Sequence, residues 1–216
     1  MTDGRITDRS FYETDALTLA RNLIGKTLVY ESEAGTVSGI IAETEAYMGV
    51  TDRASHAFGG RRTTRTETMY LPGGYAYVYL IYGLYACMNV TAAERDNPEA
   101  VLIRAVLPTE GIPLILQNVR EKSRRKTPPI FPSEPDSRFL WSLTNGPGKL
   151  CQAMGITRAL NGSDMTAGSF YIRDDGLRPL DVLTAPRIGI DYAGEARDYP
   201  WRFTAAQQDG VPAFIH

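Results

Sequence analysis

The stretch from residue 75 to residue 92 reads YAYVYLIYGLYACMNVTA, a long run of aromatic and β-branched residues. Such residues are enriched in strands, so the run predicts one or two β-strands. The Tyr-Gly pair near its middle is typical of a turn, which would place Tyr82 at the tip of a hairpin. Tyr75, Tyr77 and Tyr79 alternate along the strand and therefore share one face of it. An aromatic core or aromatic cross-strand pairs would produce the same pattern as a binding surface.

The segments around this run predict two helices and further strands. Apolar residues at helical spacing over residues 15–24 predict a helix with Thr14 or Asp15 as its N-cap. A second, short helix is predicted at residues 149–156, after the turn-forming sequence NGPG. Further strands are predicted at residues 26–30, 37–47, 100–108 and 170–173, and near residues 186–190. Together these elements predict a single α+β domain over residues 1–216, with a mainly antiparallel sheet.

Charge and proline accumulate at about residues 122–139, a segment that contains TPPIFPSEPD. This composition predicts an exposed, flexible loop. Basic residues crowd two stretches, one near residue 60 and one at the start of this loop: Arg53, Arg61, Arg62 and Arg65, and Arg120, Lys122, Arg124, Arg125 and Lys126. Each cluster is either a solvated surface or a local face that binds phosphate groups.

Length and charge narrow the possible classes of protein. A chain of 216 residues suits one domain. Its net charge is −2, whereas nucleic-acid binders are usually basic, so binding to a nucleic acid would need a local basic face. No apolar run approaches the roughly 18–20 residues of a membrane span and no secretory signal is visible, so we expect a cytoplasmic protein without a membrane partner. Cys87 and Cys151 are far apart and are expected to be buried free thiols.

Two carboxylates stand two residues apart in the sequence IIAETEAYMG, residues 40–49. Glu43 and Glu45 share a face if this segment is extended, although surface glutamates on a half-exposed strand have the same spacing. An ionised carboxylate can activate water, and a pair also occurs at sites that cleave glycosidic bonds. His56 has no second histidine at the spacing of metal ligands, and no GxGxxG or Walker loop is present. The sequence therefore predicts neither a metal nor a nucleotide cofactor.

Six segments follow one another along the chain: AETEAYMG, ASHAFGG with R and T after it, YVYLIYGLYACMNV, AVLIRAV, LTNGPGKLCQAMGI and PRIGIDYAGE. In this order they resemble the alkyladenine (3-methyladenine) DNA glycosylase family over about residues 11–203. The resemblance implies a curved sheet flanked by helices, with a protruding β-hairpin that enters DNA. It implies a monofunctional hydrolase that flips damaged purines out of duplex DNA and cleaves their N-glycosidic bond with activated water. Neither a cofactor nor an obligate protein partner is expected.

The resemblance also implies the lesions and the catalytic groups. The lesions are alkylated or deaminated purines of the 3-methyladenine, 7-methylguanine, hypoxanthine and ethenoadenine class. Glu45 corresponds to the base that deprotonates the attacking water, with Glu43 in a supporting or structural role. Arg104 corresponds to an arginine that helps to hold this water, and Ile188 to a residue whose backbone carbonyl does so. No lysine matches a nucleophile, so strand cleavage is not expected.

Further positions correspond to the family's base pocket and DNA contacts. The flipped base is expected to stack on aromatic and imidazole faces, those of Tyr47, His56 and Tyr79. The backbone N–H of His56 would also bind the base edge. Asn89 corresponds to the pocket asparagine whose amide disfavours the exocyclic amino group of normal guanine. Tyr82 corresponds to the residue wedged into the duplex, and Arg65 falls where the family contacts the DNA backbone.

Two other functions remain compatible with the sequence. One is a DNA-binding module for damaged sites that has lost catalysis. The other is a small-molecule nucleoside N-glycosidase that uses the Glu43 and Glu45 pair. Tyr82 distinguishes them, because a wedge is useless to an enzyme that acts on free nucleosides. The segment at about residues 122–139 is expected to be either an added DNA-contacting loop or an inert insertion.

Overall fold

A long central strand organises the fold in the computed structural model, which describes residues 4–122 and 129–216. The α-helices are α1 (Ala16–Leu23), α2 (Ile112–Glu121), α3 (Ser137–Thr144) and α4 (Pro147–Ala153). The longer strands are β1 (Thr27–Ser32), β2 (Gly35–Tyr47), β3 (Ala76–Ile81), β4 (Tyr85–Ala92) and β5 (Glu99–Glu110). The shorter strands are β6 (Phe170–Arg173), β7 (Arg178–Pro179), β8 (Val182–Ala185), β9 (Arg202–Ala205), β10 (Gln207–Gln208), β11 (Val211–Pro212) and β12 (Phe214–Ile215).

Strand β2 lies between β5 on one edge and two shorter strands on the other. The main sheet runs β3-β4-β5-β2-β1-β6, and all its pairings are antiparallel. On its second edge, β2 pairs with β1 up to Ile40 and then with β9 over Glu43–Glu45. The register with β5 shifts at three points along β2. Such irregularities bend and twist a strand, and they give the sheet its curled shape around the core.

The main core lies between this sheet and the helices α1 and α4. Helix α1 begins after Asp15, whose side chain accepts a hydrogen bond from the Thr18 amide. Its buried face consists of Ala16, Leu19, Ala20 and Leu23. Leu150 and Cys151 of α4 are buried in the same cluster. Apolar residues at helical spacing thus position both helices, as amphipathic patterns do in general.

Most elements agree with their sequence-based predictions. The α+β class, the single domain with a mainly antiparallel, curled sheet, and the helix at residues 15–24 are confirmed. The run at residues 75–92 forms two strands, β3 and β4, joined by a turn over residues 82–84. The predicted helix at residues 149–156 is present as α4, and the strand at residues 170–173 as β6.

Several elements differ from prediction, among them helices α2 and α3 and the segment after β8. The prediction of a strand near residues 186–190 is wrong. The strand in this region is β8, which ends at Ala185, and the segment after it is irregular. Arg187 of that segment is turned into the interior, and Gly189 has φ +76°, so the backbone leaves the extended form. Helix α2 was not anticipated. It begins after Gly111 at φ +72° with a proline in its first turn, and only Ile115 is buried.

The segment expected to be a loop at about residues 122–139 is described only in part. Residues 123–128, with three of the basic side chains singled out above, lie outside the described ranges. Residues 129–136 contain neither helix nor strand, and α3 begins at Ser137 with Asp136 as its N-cap. No helix in the described part of the chain combines the length and apolarity that a membrane span requires.

Candidate active site

Strand β2 presents three polar side chains on one side of the sheet. Glu43, Glu45 and Tyr47 alternate along it, which confirms that the two carboxylates share a face. Arg104 of β5 reaches both of them. Its Nε lies 3.2 Å from Glu43 Oε1, and its Nη1 lies 3.3 Å from Glu45 Oε1. The Glu45 side chain is fully buried, so a cation beside it offsets a charge that water cannot solvate.

The Glu45 carboxylate also accepts two hydrogen bonds. The Ile188 amide donates to Oε1 at 2.8 Å, and the Tyr47 hydroxyl donates to Oε2 at 2.9 Å. Burial raises the pKa of Glu45 above its usual value, while the Arg104 charge is the largest effect that opposes this rise. A raised pKa makes the carboxylate a stronger base, and its donors favour the ionised form that accepts a proton.

A cavity of about 490 Å³ opens beside these groups. Small-molecule sites typically span roughly 300–1,000 Å³. Its lining includes these sequence-predicted residues: Tyr47, His56, Arg65, Tyr79, Tyr82, Asn89, Arg104 and Ile188. Glu45 lies behind this lining, in contact with Tyr47, Arg104 and Ile188. The fold therefore gathers at one place the candidate residues that the sequence scatters over more than half of the chain.

Aromatic rings form one wall of the cavity. The His56 and Tyr79 ring centroids lie 4.6 Å apart with the rings nearly perpendicular, and Tyr77 packs 5.3 Å from Tyr79. Tyr77 is almost fully buried and belongs to a core cluster, whereas Tyr79 is half-buried at the edge of it. Tyr77 thus packs as the core interpretation of the tyrosine run predicts, while both Tyr77 and Tyr79 also line the cavity.

The His56 imidazole is neutral at pH 7. Burial is the main cause that lowers its pKa to about 4, and the charges of Arg65 and Arg61 act in the same direction. Arg65 Nη2 lies 3.5 Å from Nε2, and the Tyr77 hydroxyl lies 3.0 Å from Nδ1. Because arginine can only donate, this network assigns the ring proton to Nδ1. A cationic base would therefore meet no like charge on this ring.

Asn89 stands at the floor of the cavity on β4. It is 4% exposed, and its Nδ2 donates to the backbone carbonyl of Tyr77 at 3.0 Å. This bond fixes the orientation of the amide relative to the aromatic wall. Cys87, two residues earlier, also lines the cavity, and burial raises the pKa of its thiol to about 11. The thiol is therefore protonated at neutral pH.

A buried ion pair lies behind Tyr47 of the cavity lining. Arg187 and Asp52 have fully buried side chains, and both terminal nitrogens of Arg187 donate to the Asp52 carboxylate. The guanidinium also lies between two rings, 4.7 Å from the Tyr47 centroid and 4.8 Å from that of Trp201. It therefore backs Tyr47 and anchors the segment that carries the Ile188 amide. Sequence reasoning singled out none of these three supports, although Arg187 lies within the quoted segment PRIGIDYAGE.

The β3–β4 turn carries an exposed aromatic ring. Tyr82 is 89% exposed and has φ +53°, and Gly83 follows with φ +69°. Positive φ at both positions suits a tight hairpin turn and is unusual for a tyrosine. Leu84 and Tyr85 beside it are also exposed, so the tip offers an apolar surface.

Three arginines of the first basic cluster line a second cavity, of about 370 Å³, next to the first. They are Arg53, Arg61 and Arg65. The fourth, Arg62, is turned away in ion pairs with Glu67 at 2.6 Å and Asp96 at 2.7 Å. Its charge is therefore compensated within the protein. The described residues contain no group of three His, Cys, Asp or Glu side chains that could hold a metal ion.

Comparison with known proteins gives consistent matches. Residues 10–209 match the model of the methylpurine-DNA glycosylase family. A protein of Desulfitobacterium hafniense is 47% identical over 195 residues, which cover 90% of this chain and 92% of the relative. A Bacillus subtilis protein is 48% identical over 194 residues, 90% of each chain. An Oceanobacillus iheyensis protein is 47% identical over 203 residues, 94% of this chain and 92% of the relative. All three bear the name "putative 3-methyladenine DNA glycosylase".

Proposed function

The chain belongs to the methylpurine-DNA glycosylase family, and on this premise we propose that it removes alkylated or deaminated purines from duplex DNA by hydrolysis. The observation that carries this proposal is the position of Glu45, a buried carboxylate held behind an aromatic cavity by an ion pair and two hydrogen bonds. Names of the relatives support the 3-methyladenine class of lesion. Hypoxanthine and ethenoadenine belong to the proposal as neutral damaged purines.

The proposed reaction replaces the N-glycosidic bond with a bond to water. A water held by Arg104 and the Ile188 carbonyl attacks C1′ of the sugar, and Glu45 accepts its proton. The bond from C1′ to the base nitrogen breaks, and its electron pair leaves with the base. Positive charge develops on the sugar in such reactions, so a carboxylate near it lowers the barrier. The product is an abasic site, with the DNA strand intact.

Base flipping brings the damaged nucleotide into the cavity. Tyr82 enters the duplex and fills the space that the extruded base leaves, in the manner of other apolar wedges. The base then stacks against Tyr47, His56 and Tyr79. Flipping requires unstacking, and damaged bases that pair poorly require less of it. Arg65 binds the DNA backbone at the rim, and Arg53 and Arg61 extend this basic surface.

Selectivity arises from charge and from shape. Alkylation at N3 or N7 makes a purine cationic, and the tyrosine π-faces attract it while the neutral His56 does not repel it. The Asn89 amide, fixed by its bond to Tyr77, disfavours the exocyclic amino group of normal guanine. Neutral lesions need protonation to leave, so acid assistance matters more for them.

The deciding experiment measures base release by the wild-type protein from three substrates under single-turnover conditions. They are a duplex with one hypoxanthine or 7-methylguanine, the matching undamaged duplex, and the free nucleosides. Release from the damaged duplex alone supports the proposal. Binding to the duplex without release of any lesion would mean a binding module. Cleavage of free nucleosides at a rate that exceeds release from DNA would mean a nucleoside N-glycosidase.

A further inference from the structure

Alternating charges run from the cavity wall to strand β9, which lies between β2 and β8 in the sheet. Glu45 contacts Arg104, Arg104 contacts Glu43, and Glu43 contacts Arg202 of β9, whose Nη1 lies 2.9 Å from Glu43 Oε1. The Glu43 and Arg104 side chains are 12% and 11% exposed, and that of Arg202 is 23% exposed. Low exposure limits screening by water, so a charge at the outer end still acts on the inner one.

Glu43 determines how the Arg104 guanidinium is oriented. It holds Nε, and because the guanidinium is planar and rigid, this contact directs Nη1 toward Glu45. The same oxygen, Oε1, also accepts the bond from Arg202. Two cations therefore share one carboxylate, and Arg104 is not drawn wholly to Glu43.

Arg202 also supports Glu45 by a second route. Its Nε donates to the backbone carbonyl of Pro186 at 2.9 Å. Ile188, two residues further on, donates its amide to Glu45. One side chain of β9 thus contacts both structures that bind the buried carboxylate, the Glu43–Arg104 pair and the segment with the Ile188 amide.

We propose that Arg202 is a positioning residue of the hydrolysis, which acts through Glu43 to hold Arg104 against the Glu45 carboxylate. The proposal rests on the function proposed above, in which Glu45 is the base. Arg202 itself does not line the cavity. Its effect on the reaction is therefore indirect, through the charge and orientation of Arg104, which does line the cavity.

Several ionisable groups face Glu45 from the packed elements: Glu43 and Tyr47 on β2, Tyr79 on β3, Cys87 on β4 and Arg104 on β5. Burial raises the pKa values of the tyrosines and of Cys87, so these groups stay neutral over the working pH range. Arg187 is compensated by Asp52. The charges that can change the ionisation of Glu45 are therefore those of Arg104, Glu43 and Arg202.

Substitutions at the two outer residues are expected to shift the ionisation of Glu45 in opposite directions. Arg202→Gln removes a positive charge and leaves Arg104 as the only cation on Glu43, so the pKa of Glu45 rises. Glu43→Gln removes a negative charge but keeps an oxygen that can accept from Arg104 Nε, so this pKa falls. In the double variant the two changes oppose each other. A role in folding alone would not produce shifts of opposite sign.

The test is the pH dependence of single-turnover base release from a duplex with one 7-methylguanine. This cationic base leaves without protonation, so the loss of rate at low pH reports the ionisation of Glu45. We expect the midpoint to rise by roughly half a pH unit or more in Arg202→Gln and to fall by a similar amount in Glu43→Gln. The double variant and Arg202→Lys should stay close to the wild type. Arg173→Gln on β6, which removes an ion-pair partner of Asp175, serves as the matched control.

The outcomes separate this proposal from the proposed function. A wild type that releases no lesion contradicts the function itself. If the wild type is active, a midpoint that is unchanged in Arg202→Gln, or that shifts in the same direction in both single variants, contradicts the role of Arg202. If Arg202→Gln fails to fold, the other two variants decide. A midpoint that does not fall in Glu43→Gln, or that moves in Arg202→Lys, overturns the proposal.

Discussion

Glu45 and Tyr82 serve the same cavity in opposite settings. Glu45 is fully buried, and donors from β2, β5 and the segment after β8 hold its carboxylate. Tyr82 is 89% exposed at the tip of a hairpin, on a backbone of positive φ. The two steps of the proposed reaction, catalysis and base flipping, therefore have different structural demands. The catalytic carboxylate must be held in place before the substrate binds, whereas the Tyr82 side chain must be free to move from solvent into the DNA.

The largest effect on stability is expected at the buried ion pair of Arg187 and Asp52, which supports the surroundings of Glu45. Arg187→Met leaves the Asp52 carboxylate buried without its cation, and the free energy of unfolding should fall by about 3–5 kcal/mol. Urea denaturation followed by circular dichroism measures it. The double variant Arg187→Met/Asp52→Asn should recover part of the loss, because it removes the uncompensated charge as well. A loss below about 1 kcal/mol in the single variant would place this pair with the weak surface ion pairs.

At the exposed hairpin tip, we expect a substitution to change activity and to leave stability nearly unchanged. Tyr82→Ala should leave the free energy of unfolding within about 0.5 kcal/mol of the wild type, as surface substitutions usually do. Base release from duplex DNA should fall roughly 10- to 100-fold, because unstacking a base step costs a few kcal/mol that the wedge offsets. The control is a single-stranded oligonucleotide with the same lesion, on which the variant should act like the wild type. Equal losses on both substrates would contradict a wedge.

The basic cluster beside the cavity allows a finer comparison between two neighbouring arginines. Arg65 lines both cavities, whereas Arg62 is held by Glu67 and Asp96. Arg65→Gln should lower the slope of log affinity against log salt concentration by about 1, the contribution of one phosphate contact. Arg62→Gln should leave this slope unchanged. The measurement is fluorescence anisotropy of a labelled duplex at several salt concentrations, and equal slopes for the two variants would argue against a backbone contact by Arg65.

The local features of the strand that carries Glu45 and of the hairpin that carries Tyr82 were predictable from the sequence. Alternation placed Glu43 and Glu45 on one face, and the Tyr-Gly pair predicted the hairpin tip, because both depend on residues that are adjacent in the chain. The roles of His56, Asn89 and Arg104 came only from the family resemblance. No pattern in their own surroundings set them apart from residues of the core.

The residues that support Glu45 and its neighbours could not be predicted from their spacing in the sequence. Arg187 and Asp52 are 135 residues apart, and Arg202 and Glu43 are 159 apart, so only the folded sheet brings them together. The error at residues 186–190 has the same origin. The segment has the composition of a strand, but its arginine is bound in the interior, and the Ile188 amide bonds to a side chain instead of a neighbouring strand.

The most direct measurement compares Glu45→Gln with the wild type in two assays on one duplex that carries a single hypoxanthine or 7-methylguanine. A general base contributes about 10²–10⁴ in rate, so we expect single-turnover base release to fall by that factor. Affinity for the same duplex should stay within about threefold of the wild type, since the Tyr82 wedge and the arginines at the rim are intact. Release at the wild-type rate, or a loss of binding that accounts for the whole loss of rate, would contradict the assignment of Glu45 as the base.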